Sequence, residues 1–157
     1  MTLLISSRLT QLGIQPDMPV APKGSYVSFV HTGDVLYVSG QTSRVRGIPA
    51  FVGRLGENIS KEEGVKAARA AATCLVSQIA AAVDDRLDLV RRILRVSVFV
   101  ASTPDFAEHS IVANGASDFL IDVFGASGHH ARTAVGVASL PSGVAVELEA
   151  TILINTV

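Results

Sequence analysis

The sequence predicts an α+β subunit in which a mixed sheet carries two helices on one face. Three observations predict it. Runs of alternating β-branched and aromatic residues lie near both ends of the chain, two helical stripes of apolar residues occupy its middle, and a further alternating run sits between those stripes. The resulting order is ββαβαββ, and two helices cover one face of such a sheet and no more.

Residues 2–12 read as a short leading helix through Leu3, Leu4, Ser7 and Leu12, followed by a stretch punctuated by Gly13, Pro16, Pro19, Pro22 and Gly24. Tyr26–His31 and Val35–Ser39 are strand-like and flank Thr32-Gly33-Asp34, a turn signal that predicts a β-hairpin. Residues 40–58, rich in Gly, Arg and Pro, read as loop. Ser60 then opens a helix: its hydroxyl can cap the first turn, and Glu63 stands where a capping box places its carboxylate. Val65, Ala68, Ala72, Leu75, Ile79 and Val83 form its buried stripe, whose alanines let it lie close to a sheet, and Asp84-Asp85 ends it.

Arg92–Ala101 reads as the next strand, with Val96, Val98 and Val100 on one side. Thr103, Pro104 and Asp105 supply a cap, a first-turn proline and an acid suited to the helix dipole, so the second helix is expected to start there. Phe106, Ala113, Ala116, Leu120 and Val123 make its apolar stripe, and Gly125 stops it. Thr133–Ser139 and Val144–Ile154 are the last strands. Leu140-Pro141-Ser142-Gly143 between them fits a type I turn, which makes the pair antiparallel neighbours.

Alternation assigns faces. Val146, Leu148, Ala150, Ile152 and Ile154 belong under the helices, with Glu147, Glu149, Thr151 and Leu153 facing away. In the preceding strand, Thr133, Val135 and Val137 are expected on the helix side, with Arg132, Ala134 and Gly136 opposite. The uncovered face mixes Phe, Tyr and Leu with a few charges, a surface only partly suited to water. It is expected to pack on other copies of the chain.

Composition narrows the partners. At 157 residues, 48% of them apolar and 17% charged, the chain is long enough for one well-packed domain and lacks the signature of disorder. A net charge of −1 and an aromatic content of 5% without tryptophan disfavour nucleic acid and anionic membrane. The single cysteine, Cys74, excludes an intrachain disulfide and a multi-thiolate metal site. No apolar run reaches membrane length and the start has no signal-peptide pattern, so a cytoplasmic protein is expected.

On the predicted uncovered face, Arg132 and Glu147 flank a floor of Ala134 and Gly136, separated by about 13 Å of strand rise that a long arginine shortens. A cation, a small-residue floor and a carboxylate suit a small acid together with a water molecule. The same two residues also fit a solvated cross-strand pair or an interface salt bridge. His129 and His130 are adjacent and point to opposite faces of a strand, and His31 and His109 lack ligand spacing. No metal site is expected. Cys74 lies among helix residues and reads as core, and no phosphate-binding glycine loop is present.

Leu36-Tyr37-Val38-Ser39-Gly40-Gln41, the strand Arg95–Val100 with its following helix, and two C-terminal segments, Ala131–Pro141 and Val146–Ala150, together resemble the RidA (YjgF) family. The likeness spans residues 24–155 of the one domain, 1–157, and leaves 1–23 as an N-terminal extension. It implies a chorismate-mutase-like subunit, a homotrimer with clefts between subunits, and hydrolysis of reactive 2-enamine/2-imine acids such as 2-aminoacrylate and 2-iminopropionate to 2-keto acids and ammonia, without a cofactor. By position it implies carboxylate binding by Arg132, water handling by Glu147, a cleft tyrosine at Tyr26, backbone contacts at Gly40 and a binding asparagine at Asn114. Ala134 stands where members often carry cysteine and Gly136 where they often carry glutamate, and the loop Gly125–Ala131 with its histidine pair is longer. Two other readings remain: a non-catalytic trimer that binds small carboxylates, and an endoribonuclease, which the charge and the scarcity of aromatics disfavour.

Overall fold

Alternating burial along the last strand shows how the sheet is built. In a computed structural model that describes residues 3–16 and 18–155, Val146, Leu148, Ala150, Ile152 and Ile154 are buried, while Glu147, Glu149, Thr151 and Leu153 are not. The elements are α1 (Ile5–Gln11), β1 (Phe29–Thr32), β2 (Val35–Thr42), the short ladder β3 (Arg44–Val45) and β4 (Ile48–Pro49), α2 (Lys61–Ala82), β5 (Val90–Ala101), α3 (His109–Phe124), β6 (Ala131–Val137) and β7 (Val146–Ile154). The expected leading helix is thus α1; residue 2 lies outside the described residues. The expected loop 40–58 contributes the end of β2 and the β3–β4 ladder.

The main sheet runs β1-β2-β7-β5-β6, antiparallel except for the β5–β6 pair. That order corrects the expected β6–β7 hairpin. β6 returns from α3 to lie parallel to β5, the crossover geometry that a strand–helix–strand unit imposes. β7 inserts between β2 and β5 instead. The turn at Pro141–Gly143, with Ser142 at φ 59°, carries the chain across the end of β5, where Gly53 N–H donates to the Gly143 carbonyl at 2.9 Å and Ala145 N–H to that of Phe51 at 2.8 Å.

The same pairing corrects the face assigned to β6. Cross-strand partners share a face. Arg132 pairs with Val96, Ala134 with Val98 and Gly136 with Val100, so these three lie on the helix side, and Thr133 and Val135 lie on the open side.

α2 starts as its sequence dictates. Ser60 Oγ accepts from Glu63 N–H at 3.2 Å, and Glu63 Oε2 accepts from Ser60 N–H at 2.8 Å, a complete capping box. Its buried alanines, Ala67, Ala68, Ala71 and Ala72, bring the helix close to both the sheet and α3. α3 begins at His109, not at Thr103. The Thr103 N–H that a helix would leave free instead donates to the Leu55 carbonyl at 3.0 Å, which extends strand-like pairing past the end of β5. α1 seats Ile5 and Leu9 in the core and is tied down where Ile5 N–H donates to the Asp85 carbonyl at 2.9 Å. The face away from the helices stays open and carries Val30, Tyr37 and Val135, each between 42% and 51% exposed.

Candidate functional site

β6 is an edge strand, so its helix side is only partly roofed by α3. Ser110, Asn114 and Ser117 recur at helical spacing along α3 and form one polar strip above β6. The Arg132 guanidinium lies along that strip. Its Nη1 donates to Asn114 Oδ1 at 2.8 Å and to Ser117 Oγ at 3.0 Å, and its Nη2 donates to the Ser110 carbonyl at 3.2 Å. A guanidinium carries five N–H donors. Those left without an acceptor among the described residues are Nε–H and one N–H of Nη2, two charged donors from which a carboxylate can accept. Every acceptor of Arg132 is neutral. The ion pairs among the described residues are formed by other side chains, so the charge of Arg132 is not cancelled by a carboxylate.

Further along the same strand, Ala134 packs against the core and Gly136 lies against Ser102 and His109. A Cβ on Gly136 would come within 2.6 Å of both Ser102 Oγ and His109 Nε2, which are themselves 3.2 Å apart. The strip therefore runs from a cation, across a methyl floor, to a hydroxyl and an imidazole.

Glu147 occupies a different place. It pairs with Phe99 and Thr42 on the open side of the sheet. Its carboxylate lies over Gly40 in the bulge of β2, where any side chain on residue 40 would collide with Oε1. Tyr26, Ser28, Gly40, Thr42 and Glu147 line a cleft of about 160 Å³ there. Glu147 is half-buried and accepts no hydrogen bond among the described residues. Burial first, then the negative charge of Glu149, pushes its carboxyl above the ordinary glutamate value.

Of the residues singled out from the sequence, Arg132, Asn114 and Ala134 gather between β6 and α3, and Tyr26, Gly40 and Glu147 gather at the open-face cleft. The two groups lie on opposite sides of one sheet. This corrects the expectation that Arg132 and Glu147 share a face above an Ala134–Gly136 floor. Sequence reasoning missed Ser110 and Ser117, and weighed His130 only as a metal ligand. The signal for the serines was their spacing with Asn114, which also describes any solvated helix face. Cys74 is buried, and among the described residues no cluster of three His, Cys, Asp or Glu side chains could hold a metal ion. No helix among them is long and apolar enough to cross a membrane.

Residues 17–154 match the family model described as endoribonuclease L-PSP. The chain is 47% identical to protein TCP17 of Trypanosoma cruzi over 152 residues, covering 96% of this chain and 94% of that protein. A protein of unknown function from Agrobacterium tumefaciens is 40% identical and superposes with a TM-score of 0.88, covering 96% of this chain and 92% of that one. A protein described as a candidate endoribonuclease from Shewanella oneidensis is 25% identical with a TM-score of 0.91, covering 97% and 100% of the two chains. With the fold and the sequence motifs in agreement, the chain belongs to the endoribonuclease L-PSP family, which is the RidA family.

Proposed function

We propose that the protein is a hydrolase of small reactive 2-imino and 2-enamino acids, assembled as a homotrimer in which Arg132 of one subunit and Glu147 of its neighbour flank one ligand. The observation that carries this reading is the state of Arg132: held in place by three neutral acceptors, with two N–H groups left over and no counter-ion among the described residues. A carboxylate supplies the missing charge and both missing acceptors. Hydrogen bonds to charged groups contribute roughly 1.5–3 kcal/mol each, enough to hold a small metabolite when several act together.

The chemistry asks little beyond that. An iminium carbon is already electrophilic, so fixing the substrate and delivering water is most of the task. Glu147 takes a proton from water as its oxygen adds to the C=N carbon, giving a tetrahedral carbinolamine. It returns that proton to the amino nitrogen. The C–N bond then breaks as the hydroxyl gives its proton to the Glu147 carboxylate and becomes the ketone oxygen. That proton passes on to the departing ammonia, leaving a 2-keto acid and ammonium, with Glu147 again ionised. A carboxyl whose affinity for protons is raised suits a group that must both accept and release one. The family description names an endoribonuclease, but a net charge of −1 and an aromatic content of 5% give RNA no basic track and few stacking surfaces.

The test is turnover of freshly generated 2-iminopropionate. The wild-type protein is expected to accelerate hydrolysis well above the spontaneous rate, and Arg132→Ala to abolish the acceleration. Co-assembling Arg132→Ala with Glu147→Ala subunits should restore part of the activity, because some interfaces then pair two intact halves. Pyruvate binding without any acceleration would leave the protein a carboxylate binder and overturn the hydrolase reading.

A further inference from the structure

The histidine pair before β6 has no part in the mechanism above, yet one member touches it. His130 Nδ1 lies 2.6 Å from the Gly128 carbonyl oxygen, and its Nε2 lies 2.9 Å from Ser117 Oγ. Ser117 Oγ in turn accepts from Arg132 Nη1 at 3.0 Å. A carbonyl can only accept, so Nδ1 carries the imidazole proton. Neutral imidazole then presents Nε2 as an acceptor. The Ser117 hydroxyl proton points at Nε2, and its lone pairs face the guanidinium. Each proton in the chain from Gly128 to Arg132 has one place to be.

We infer that His130 is a positioning residue: through Ser117 it fixes the orientation of the Arg132 guanidinium, and so of the two N–H groups left for a ligand. The anchor at the far end is rigid. Gly128 is buried, and a Cβ there would fall on the backbone of Leu120 and Ile121 near the end of α3, so the carbonyl that sets the tautomer is itself pressed into place. Desolvation lowers the affinity of His130 for a second proton; the Gly128 carbonyl opposes this, and the neighbouring Arg132 and His129 add to the lowering. Were Nε2 protonated, the serine would have to accept from both sides and send its own proton elsewhere. The ordered chain to Arg132 would be lost.

The ligand-binding consequence rests on the proposed role of Arg132; the relay does not. Nitrogen-15 NMR of the full-length protein reads both. Wild type should show His130 as the Nδ1–H tautomer and slow rotation of the Arg132 guanidinium. Ser117→Ala should speed that rotation, while Ser117→Thr should preserve it. His130→Phe should act like Ser117→Ala, and His130→Gln, whose amide oxygen can accept from Ser117, should recover most of the restriction. With pyruvate as the probe, Ser117→Ala is expected to raise Kd about 5- to 10-fold, and with the imino acid to raise KM more than it lowers kcat. An Nε2–H tautomer, or guanidinium rotation unchanged in Ser117→Ala, overturns the relay. Absence of turnover with the NMR pattern intact would overturn the hydrolase reading and leave the relay standing.

Discussion

Replacing Gly40 by alanine separates what the Gly40–Glu147 contact does for stability from what it does for chemistry. The added Cβ would occupy the space now filled by Glu147 Oε1, and the three atoms nearest to it all belong to that one flexible side chain. Two stability effects oppose each other. Alanine in a strand recovers about 0.5–1 kcal/mol of the conformational entropy that glycine loses on folding. Pushing Glu147 off its preferred rotamer costs about 0.5–1.5 kcal/mol. The sum is close to zero, so chemical denaturation should place Gly40→Ala within about 0.5 kcal/mol of wild type. Activity should not be spared. A positioned base contributes roughly 10²- to 10⁴-fold, so moving the carboxylate should lower kcat/KM for 2-iminopropionate at least about tenfold. A double-mutant cycle identifies the route: a Glu147→Ala background removes the three atoms nearest the added Cβ, and there Gly40→Ala should cost no further activity. Equal losses in both backgrounds would show that the glycine acts by some path other than Glu147. A stability loss above about 2 kcal/mol, the range of a genuine core or backbone clash, would show that the carboxylate is not free to move.

Two further outcomes follow from the same structure. Glu147 holds its proton more tightly in the folded chain than its ordinary value near 4.5. The sign is therefore that folding stability falls as pH rises from about that value through the raised one, and Glu147→Gln should be more stable than wild type at neutral pH, with the gap closing in acid; thermal melts across pH 4 to 8 would show it, and a gap that widens in acid would contradict it. Gly115→Ala should destabilise despite a helix-propensity gain of about 1 kcal/mol, because its Cβ would strike the backbone carbonyl of Val65 where α3 crosses α2. Overpacking costs about 1–3 kcal/mol, and a Cβ set directly on a backbone carbonyl takes the upper half of that range, so a net loss near 1–2 kcal/mol is expected by denaturant titration, and a net gain would mean the helices separate freely.

How much of this was legible in the sequence depended on whether a signal was local. The capping box of Ser60 and Glu63 and the alanine stripe of α2 need only residues within a few turns of one another, and both stand in the structure as read. The Thr103-Pro104-Asp105 start of α3 was equally local and failed, because Leu55, some fifty residues earlier in the chain, takes the Thr103 N–H for a strand-like bridge. The β6–β7 pairing failed for a related reason. Pro141-Ser142-Gly143 does turn the chain, but a turn does not say whether the strands on either side become neighbours. The face of β6 was ambiguous in principle. Alternation divides residues into two sets without saying which set is inside, and in this edge strand neither set is fully buried, with Val135 on the exposed side and Arg132 on the partly buried one, so polarity points the wrong way.

That ambiguity concealed what matters most about the candidate site. The sequence placed a cation and a carboxylate above one floor, an arrangement one chain could complete alone. The pairing of Arg132 with Val96 and of Glu147 with Phe99 puts them on opposite sides of a continuous hydrogen-bonded sheet. A ligand of a few heavy atoms cannot reach through a sheet, which is why the proposed function takes Arg132 from one chain and Glu147 from another. The same geometry offers a face for the second chain to cover, since the side away from the helices presents Val30, Tyr37 and Val135 to solvent. Arg132 adds the complementary half of the argument. Among the described residues the Arg132 guanidinium is tied to neutral groups with two donors left over, and the half-buried Glu147 has no hydrogen-bond donor, so under the proposed function the two are complementary. Each half lacks what an anionic substrate and its attacking water would bring.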